Sequence, residues 1–311
     1  MLKDKAVLMR FSAGLPGQHR KDKKLSSEVT HEKNLGSNAG KWITNLYPEG
    51  ALDEIKSKQT EARAYHDKVT FPFGSRSDND DGSTPAIAGI GILPAALIAE
   101  YGAKMRQFKG EMDLLTSVFL DQGQRWVDWA KAEHNGTFNP KNYPGCDDSG
   151  GFNLEEFKAA MIKRFYLRTE PLPVPDAEQF SVNVTALLGV DAESVNLRVR
   201  DAGLEAQREL MRRLIEPVKA MVDKLSEGPK LKDGKEKDIV FRDSLVGNIR
   251  EIAELAPKMN LSGDAAIDEF IGQVEALGAV HPEDLRKDKK LRQSSMEQAL
   301  ATLKRLESYK F

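Results

Sequence analysis

Between Pro94 and Lys131 the positions Tyr101, Met105, Phe108, Met112, Leu115, Phe119, Gln122, Trp126 and Trp129 recur at alternating spacings of four and three. Eight of the nine are apolar, and the alternation predicts one long helix with a single buried seam. Pro94 suits the first turn, where a missing N–H costs nothing. From Leu97 to Trp129 the rod spans about 48 Å at ~1.5 Å per residue, so its seam calls for a partner of similar length. A second long helix, Asp191 to Glu227, offers one, because Val190, Leu197, Leu204, Met211, Val218 and Leu225 repeat every seven residues. Pro217 inside it removes a backbone bond and crowds the preceding turn, which predicts a kink near Arg213 to Pro217.

Shorter elements surround these rods. Lys5 to Ser12 reads as a strand, and the run His19 to Lys24 as a loop. Pro48 to Val69 reads as a helix with Leu52, Ile55, Ala62 and Val69 on one face. Phe71-Pro72 ends it, since proline disfavours helix in the residue before it. Ser75 to Ser83 is a polar tip, and helices flanking such a turn usually return antiparallel. Asn135 to Gly151 is rich in turn dipeptides. Asn153 is placed to cap a helix running to about Phe165, and Phe180 to Val184 reads as a second strand able to pair with the first. Lys230 to Asp238 is a charged loop. Three helices follow: Phe241–Ala256 on Leu245, Ile249, Ile252 and Leu255; Asp264–Leu277, capped by Ser262 or Asp264; and Pro282–Tyr309, with proline in its first turn.

The expected fold is therefore mainly α. Elongated antiparallel hairpins or a coiled coil carry a small β element at one end and a C-terminal helical bundle. The expected segments are 1–47 (strand and basic loop), 48–134 (helical hairpin), 135–188 (irregular), 189–228 (second long helix) and 239–311 (bundle).

With 30% charged, 40% hydrophobic and 7% aromatic residues, the chain has the composition of a folded, water-soluble protein. The apolar-leaning run Ala86–Ala99 is too short for a bilayer and holds two glycines and a proline. A single cysteine, Cys146, excludes a disulfide framework. These features, with no leader pattern at the start, predict the cytoplasm of a bacterial host cell. Net charge is −2 but uneven: residues 1–46 carry nine Lys or Arg against four Asp or Glu, a balance of +5. A basic end of that kind suits nucleic acid or a subunit contact.

Catalytic patterns do not hold up. Gly36-Ser37-Asn38-Ala39-Gly40-Lys41-Trp42 has three residues between its glycines and Trp42 after the lysine, where a phosphate loop needs four and a Ser or Thr. Asp78, Asp80 and Asp81 before Gly82 lack the ligand order of a calcium loop. His19, His31, His66, His134 and His281 never reach metal-ligand spacing, and His66 on an apolar face reads as a core histidine. Cys146 sits in a Gly/Asp loop without a partner base. Neither an enzyme, a cofactor nor a metal is expected.

The block Phe241-Arg242-Asp243-Ser244-Leu245-Val246-Gly247-Asn248-Ile249-Arg250-Glu251-Ile252, then Pro257-Lys258-Met259-Asn260-Leu261 and Gly263-Asp264, carries a resemblance. So do Met1–Ser12, Tyr65-His66 with Thr70–Gly74, Ile92-Leu93-Pro94, Pro171–Phe180, and Leu285–Asp288 with Leu291-Arg292. In this order they resemble a helical family of tailed bacteriophages and some bacteria that has no assigned activity. Its genes often neighbour a MoxR-type AAA+ ATPase and a von Willebrand factor A protein, so the resemblance implies an adaptor or substrate of a remodelling ATPase. The acidic insert Ser75–Ser83 and the stretch Asn135–Gly151 depart from the family pattern.

Two candidate surfaces follow. On the first, Arg242, Asp243, Asn248 and Arg250 form a docking face for a protein partner, because the helix does not need them to bury its apolar side. On the second, Arg20, Lys21, Lys23, Lys24, Lys41 and Trp42 contact nucleic acid in phage replication or recombination. The leading expectation is a non-enzymatic phage or prophage protein working through protein contacts, with an AAA+ ATPase or as a homo-oligomer. A virion component is the third reading.

Overall fold

The computed structural model describes all residues except 1, 35, 37–39, 74–88, 177–191, 227–230, 233–234, 237–241 and 310–311. The chain is mostly helical with a small antiparallel sheet. It divides into two compact units, each gathered from separate stretches: 1–9, 67–101 and 171–311 form one, 10–66 and 102–170 the other. Each unit is thus built from stretches that are not consecutive in the chain. The strand β1 (Ala6–Gly14) and the helices α3 (Asp53–Val69) and α4 (Ile98–Asp121) each contribute residues to both units.

In the first unit, α1 (Leu2–Lys5) leads into β1, which borders β5 (Ile90–Pro94); β5 pairs antiparallel with β4 (Phe71–Pro72), Phe71 opposite Ile92. Ala6, Leu8 and Met9 of β1 and Ile92 and Leu93 of β5 are buried. The helices are α7 (Ala192–Ser226), α8 (Ser244–Met259), α9 (Ala265–Gly278), α10 (Pro282–Lys287) and α11 (Lys289–Ser308). A two-residue ribbon, β7 (Leu231–Lys232) with β8 (Lys235–Glu236), replaces part of the expected loop at Lys230–Asp238.

The helix α7 runs on through Pro217. Its principal partners in this unit are α11 and α8. The buried row is Ala202, Ala206, Leu210, Leu214 and Val218, spaced by four. From Met211 onward the buried residues Met211, Leu214, Val218, Met221 and Leu225 alternate by three and four. Of the seven-residue repeat, Met211, Val218 and Leu225 are buried, Leu204 is half-buried, Leu197 is 48% exposed, and Val190 lies outside the described residues.

Local chemistry sets the helix ends. The Asp264 carboxylate accepts from Ala266 N at 2.8 Å and starts α9. Asp288 accepts from Lys290 N (2.8 Å) and Leu291 N (3.1 Å), which starts α11 and divides the single helix expected over Pro282–Tyr309. Asn260 turns the chain after α8: its side-chain oxygen accepts from Ser262 Oγ at 2.6 Å and its amide donates to Asp268 at 2.7 Å.

In the second unit, residues from β1 run antiparallel to β6 (Tyr166–Leu172): Gly14 lies against the Tyr166 ring, and Arg10 pairs with Glu170 at 3.6 Å. This strand was not anticipated, whereas the expected strand Phe180–Val184 lies outside the described residues, as does the tip Ser75–Ser83. The run His19–Lys24 is not a loop. His19–Lys21 form β2, paired antiparallel with β3 (Ile43–Asn45), and Asp22 caps α2 (Lys23–Glu32) by accepting from Leu25 N at 3.0 Å.

The helix α4 buries Met105, Phe108, Met112 and Phe119, as its spacing predicts. Tyr65 of α3 meets Phe108 (ring centroids 6.1 Å), and Gln59 one and a half turns earlier donates to Met112 Sδ at 3.8 Å, so α3 and α4 run antiparallel there. The long rod is broken, however. It ends at Asp121, and α5 (Gly123–His134) begins after Gln122. Phe157 of α6 (Leu154–Met161) packs so close to Gly123 that a Cβ there would lie 2.6 Å from its ring. At the break, the Phe119 carbonyl accepts from Gln122 N (3.3 Å) and from the Trp126 indole (2.9 Å). Tyr47, Phe119, Trp126 and Phe165 cluster about this junction, with ring centroids 5.1–6.4 Å apart. Burial pushes the Tyr47 hydroxyl up to about 12. Asn153 caps α6 as expected, accepting from Glu155 N (3.0 Å) and Glu156 N (3.2 Å).

Candidate functional site

On α8 and its N-terminal flank, two of the four docking candidates also hold neighbouring elements. The helix buries Val246, Ile249, Ala253, Leu255, Ala256 and Met259, so Leu245 and Ile252 sit at the margin of the packed side. Arg250 is structural: its Nε donates to Gly278 O at 2.6 Å and its second guanidinium nitrogen to Val280 O at 3.1 Å. These carbonyls close the C-terminal end of α9, where backbone acceptors lack helical partners. Asp243 is also engaged, by an ion pair with Arg286 of α10. All four residues are exposed, Arg242, Asn248, Asp243 and Arg250 alike, but Asp243 and Arg250 also carry these intramolecular bonds.

The basic candidates separate in the same way. In the β2–β3 ribbon, Arg20 stands opposite Thr44, which is buried, and its guanidinium donates to Lys141 O and Asn142 O, both at 3.3 Å. It is tied to the loop behind the ribbon. Lys21 stands opposite Ile43, and both are exposed. The ladder continues one step further, with Asp22 N donating to Trp42 O at 3.1 Å. Trp42 N in turn donates to Ser26 Oγ at 2.8 Å, fixing Trp42 against the first turn of α2. The structure therefore brings Lys21, Lys23, Lys41 and Trp42 to one corner and removes Arg20 from it. Lys24 belongs to the same turn by position.

The other sequence candidates offer no reacting group. The Asp147 carboxylate is consumed by its own loop, accepting from Ser149 Oγ (2.7 Å), Ser149 N (2.9 Å) and Gly151 N (2.8 Å). These bonds, the Ser149 hydroxyl first, hold it below the usual carboxylate range. Burial pushes the Cys146 thiol up, away from the thiolate form. His66 is buried beside the Phe11 ring. Among the described residues no three His, Cys, Asp or Glu side chains group to hold a metal ion, and no helix is long and apolar enough to cross a membrane. The Asp78–Gly82 stretch lies outside the described residues.

Two features were missed from sequence. A groove of about 570 Å³ in the first unit has Val199, Leu204 and Leu261 among its lining. Its lysines are already committed, Lys3 to Asp176 (2.6 Å) and Lys5 to Leu261 O (2.8 Å). The half-buried Leu204 of the heptad was its only signal. In the second unit, Leu114 is 68% and Val118 50% exposed on the outer face of α4, and Ile162 just past α6 is 48% exposed. Lys158 of α6 pairs with Asp121 of α4 at 2.7 Å. Val118 lies one turn before that ion pair and Ile162 one turn after it, so the exposed apolar groups flank it on neighbouring elements.

Compared with family models, curated proteins and solved structures, the chain matches none.

Proposed function

We propose that this is a non-enzymatic helical protein of a phage or prophage that works by binding another protein through the outer face of α4 and the end of α6. The supporting observation is the group Leu114, Val118 and Ile162, three large apolar side chains about half exposed or more. Single exposed apolar residues are ordinary; neighbouring ones framed by charge suit a protein contact. The resemblance to the phage family makes a MoxR-type AAA+ ATPase the partner, with the protein as its adaptor or substrate in the host cytoplasm.

The test is co-purification from cells expressing both proteins. Wild-type chain should retain the ATPase, and Leu114→Asp with Val118→Asp should release it. Both positions face water, so melting should move by no more than about 0.5 kcal/mol per site. Retention of the ATPase by the double variant would refute this face. Loss of a homo-oligomer in the variant, with no ATPase bound by the wild type, would assign the face to self-association.

A further inference from the structure

We propose that the corner formed by β2, β3 and the first turn of α2 binds single-stranded nucleic acid, with phosphates on Lys21, Lys23 and Lys41 and a base stacked on Trp42. The end of the ribbon carries the argument. Lys21 stands opposite Ile43, and Asp22 N donates to Trp42 O at 3.1 Å, so Lys21 and Lys23 on one side and Lys41 on the other are the chain neighbours of that hydrogen-bonded pair. Lys23 opens α2 one turn before Ser26, the residue that receives the Trp42 N–H. Three cations and an indole are thereby held at one end of a two-stranded ribbon. Among the described residues none of these lysines makes an ion pair.

The placement runs against local preference, which is informative. The positive end of a helix disfavours cations, yet Lys23 and Lys24 occupy the first turn of α2 and no acidic residue follows them there. The carboxylate next to Lys23 in the chain, Asp22, is buried as the cap. A local rule broken at an exposed position is where function is expected, and a bound anion would supply the missing countercharge.

Trp42 and Ile43 select the partner. Trp42 is 48% and Ile43 61% exposed, apolar groups that an acidic protein surface does not need but an unpaired base does. Stacking on an aromatic side chain beside a cationic track is how single strands are held without sequence readout. A duplex keeps its base faces hidden. Since the whole chain carries −2, attraction would come from this corner and not from overall charge.

The experiment uses the full chain and a fluorescein-labelled thymidine strand of about 20 nucleotides, followed by anisotropy from about 25 to 200 mM salt. Binding should weaken with salt, and Lys21→Ala with Lys23→Ala and Lys41→Ala should flatten the logarithmic slope by about 2, at ~0.7 per lost phosphate contact. Lys41→Gln alone, a safeguard should the triple variant fold poorly, should flatten it by about 0.7. Trp42→Ala should weaken binding about tenfold and abolish quenching of tryptophan emission, because Trp126 is buried and Trp129 only partly exposed. No anisotropy change at the lowest salt, or a wild-type slope in the lysine variants, would overturn the proposal. Equal displacement by polyglutamate and by unlabelled strand would also overturn it, pointing to an acidic protein.

Discussion

Arg250→Ala should destabilise the protein while Arg242→Glu, eight residues earlier and just before the same helix, should not. Arg250 donates two charged hydrogen bonds across 28 and 30 residues of sequence, to Gly278 O at 2.6 Å and Val280 O at 3.1 Å. A hydrogen bond from a charged donor contributes roughly 1.5–3 kcal/mol when well shielded. Arg250 is exposed, and water can replace part of each bond, so the pair together is worth about 1.5–2 kcal/mol. For a unit of this size that lowers the melting temperature by about 3–8 °C, at ~2–4 °C per kcal/mol. Arg250→Lys should recover less than half, since an ammonium cannot reproduce the fork that reaches both carbonyls. Circular dichroism melts of the four proteins decide the matter. If Arg250→Ala melts within about 1 °C of wild type, the two bonds are replaced by water at no cost, and Arg250 returns to the pool of residues free to bind a partner.

Leu197→Asp should leave the melt unchanged within about 0.5 kcal/mol, whereas Met211→Asp, two heptads on, should collapse cooperativity by burying an unpaired carboxylate; equal effects would contradict the burial of 48% and 3% exposed side chains. The Tyr309 hydroxyl and then Ala266 N hold the Asp264 carboxyl below its usual range. Its folded pKa is thus depressed, so its stabilisation is present above the unfolded value of about 3.9 and is lost as pH falls through the folded one. Melting temperatures of wild type and Asp264→Asn should therefore converge towards pH 2 and separate, then plateau, by about pH 5; a constant difference across that range would rule this out.

The parts of the fold legible in the sequence are those whose cause lies within a few residues. Asn153, Asp264 and Pro282 begin helices where expected because a cap needs only its own next turn. The α4 stripe was legible for the same reason. Its break at Gln122 was not, because it depends on Phe157 lying against Gly123 from a helix 34 residues away. The α7 heptad was legible over the second half of the helix only. Counting by sevens finds a seam along the whole helix, and Met211, Leu214, Val218, Met221 and Leu225 keep that alternation of three and four, while Ala202, Ala206 and Leu210 before them step by four. Leu197 then turns to solvent although Met211, Val218 and Leu225 stay in the core.

The candidate cations differ by one physical criterion, which is where each long side chain ends. In sequence, Arg20 and Arg250 look as available as Lys21 and Lys41. Both arginines instead reach carbonyls remote in the chain, because a planar fork with several fixed donors can satisfy two acceptors at once. The lysines of the ribbon corner carry single mobile charges and meet no such pair of acceptors. An exposed arginine near a helix end in this chain is therefore better read first as a clasp, and an exposed lysine beside Trp42 as a charge still free to bind. The same criterion separates the two proposed surfaces. The outer face of α4 depends on apolar groups with charge only at its edge, and the ribbon corner depends on unpaired charge with one aromatic ring. Salt should therefore weaken binding at the corner steeply and at α4 hardly at all.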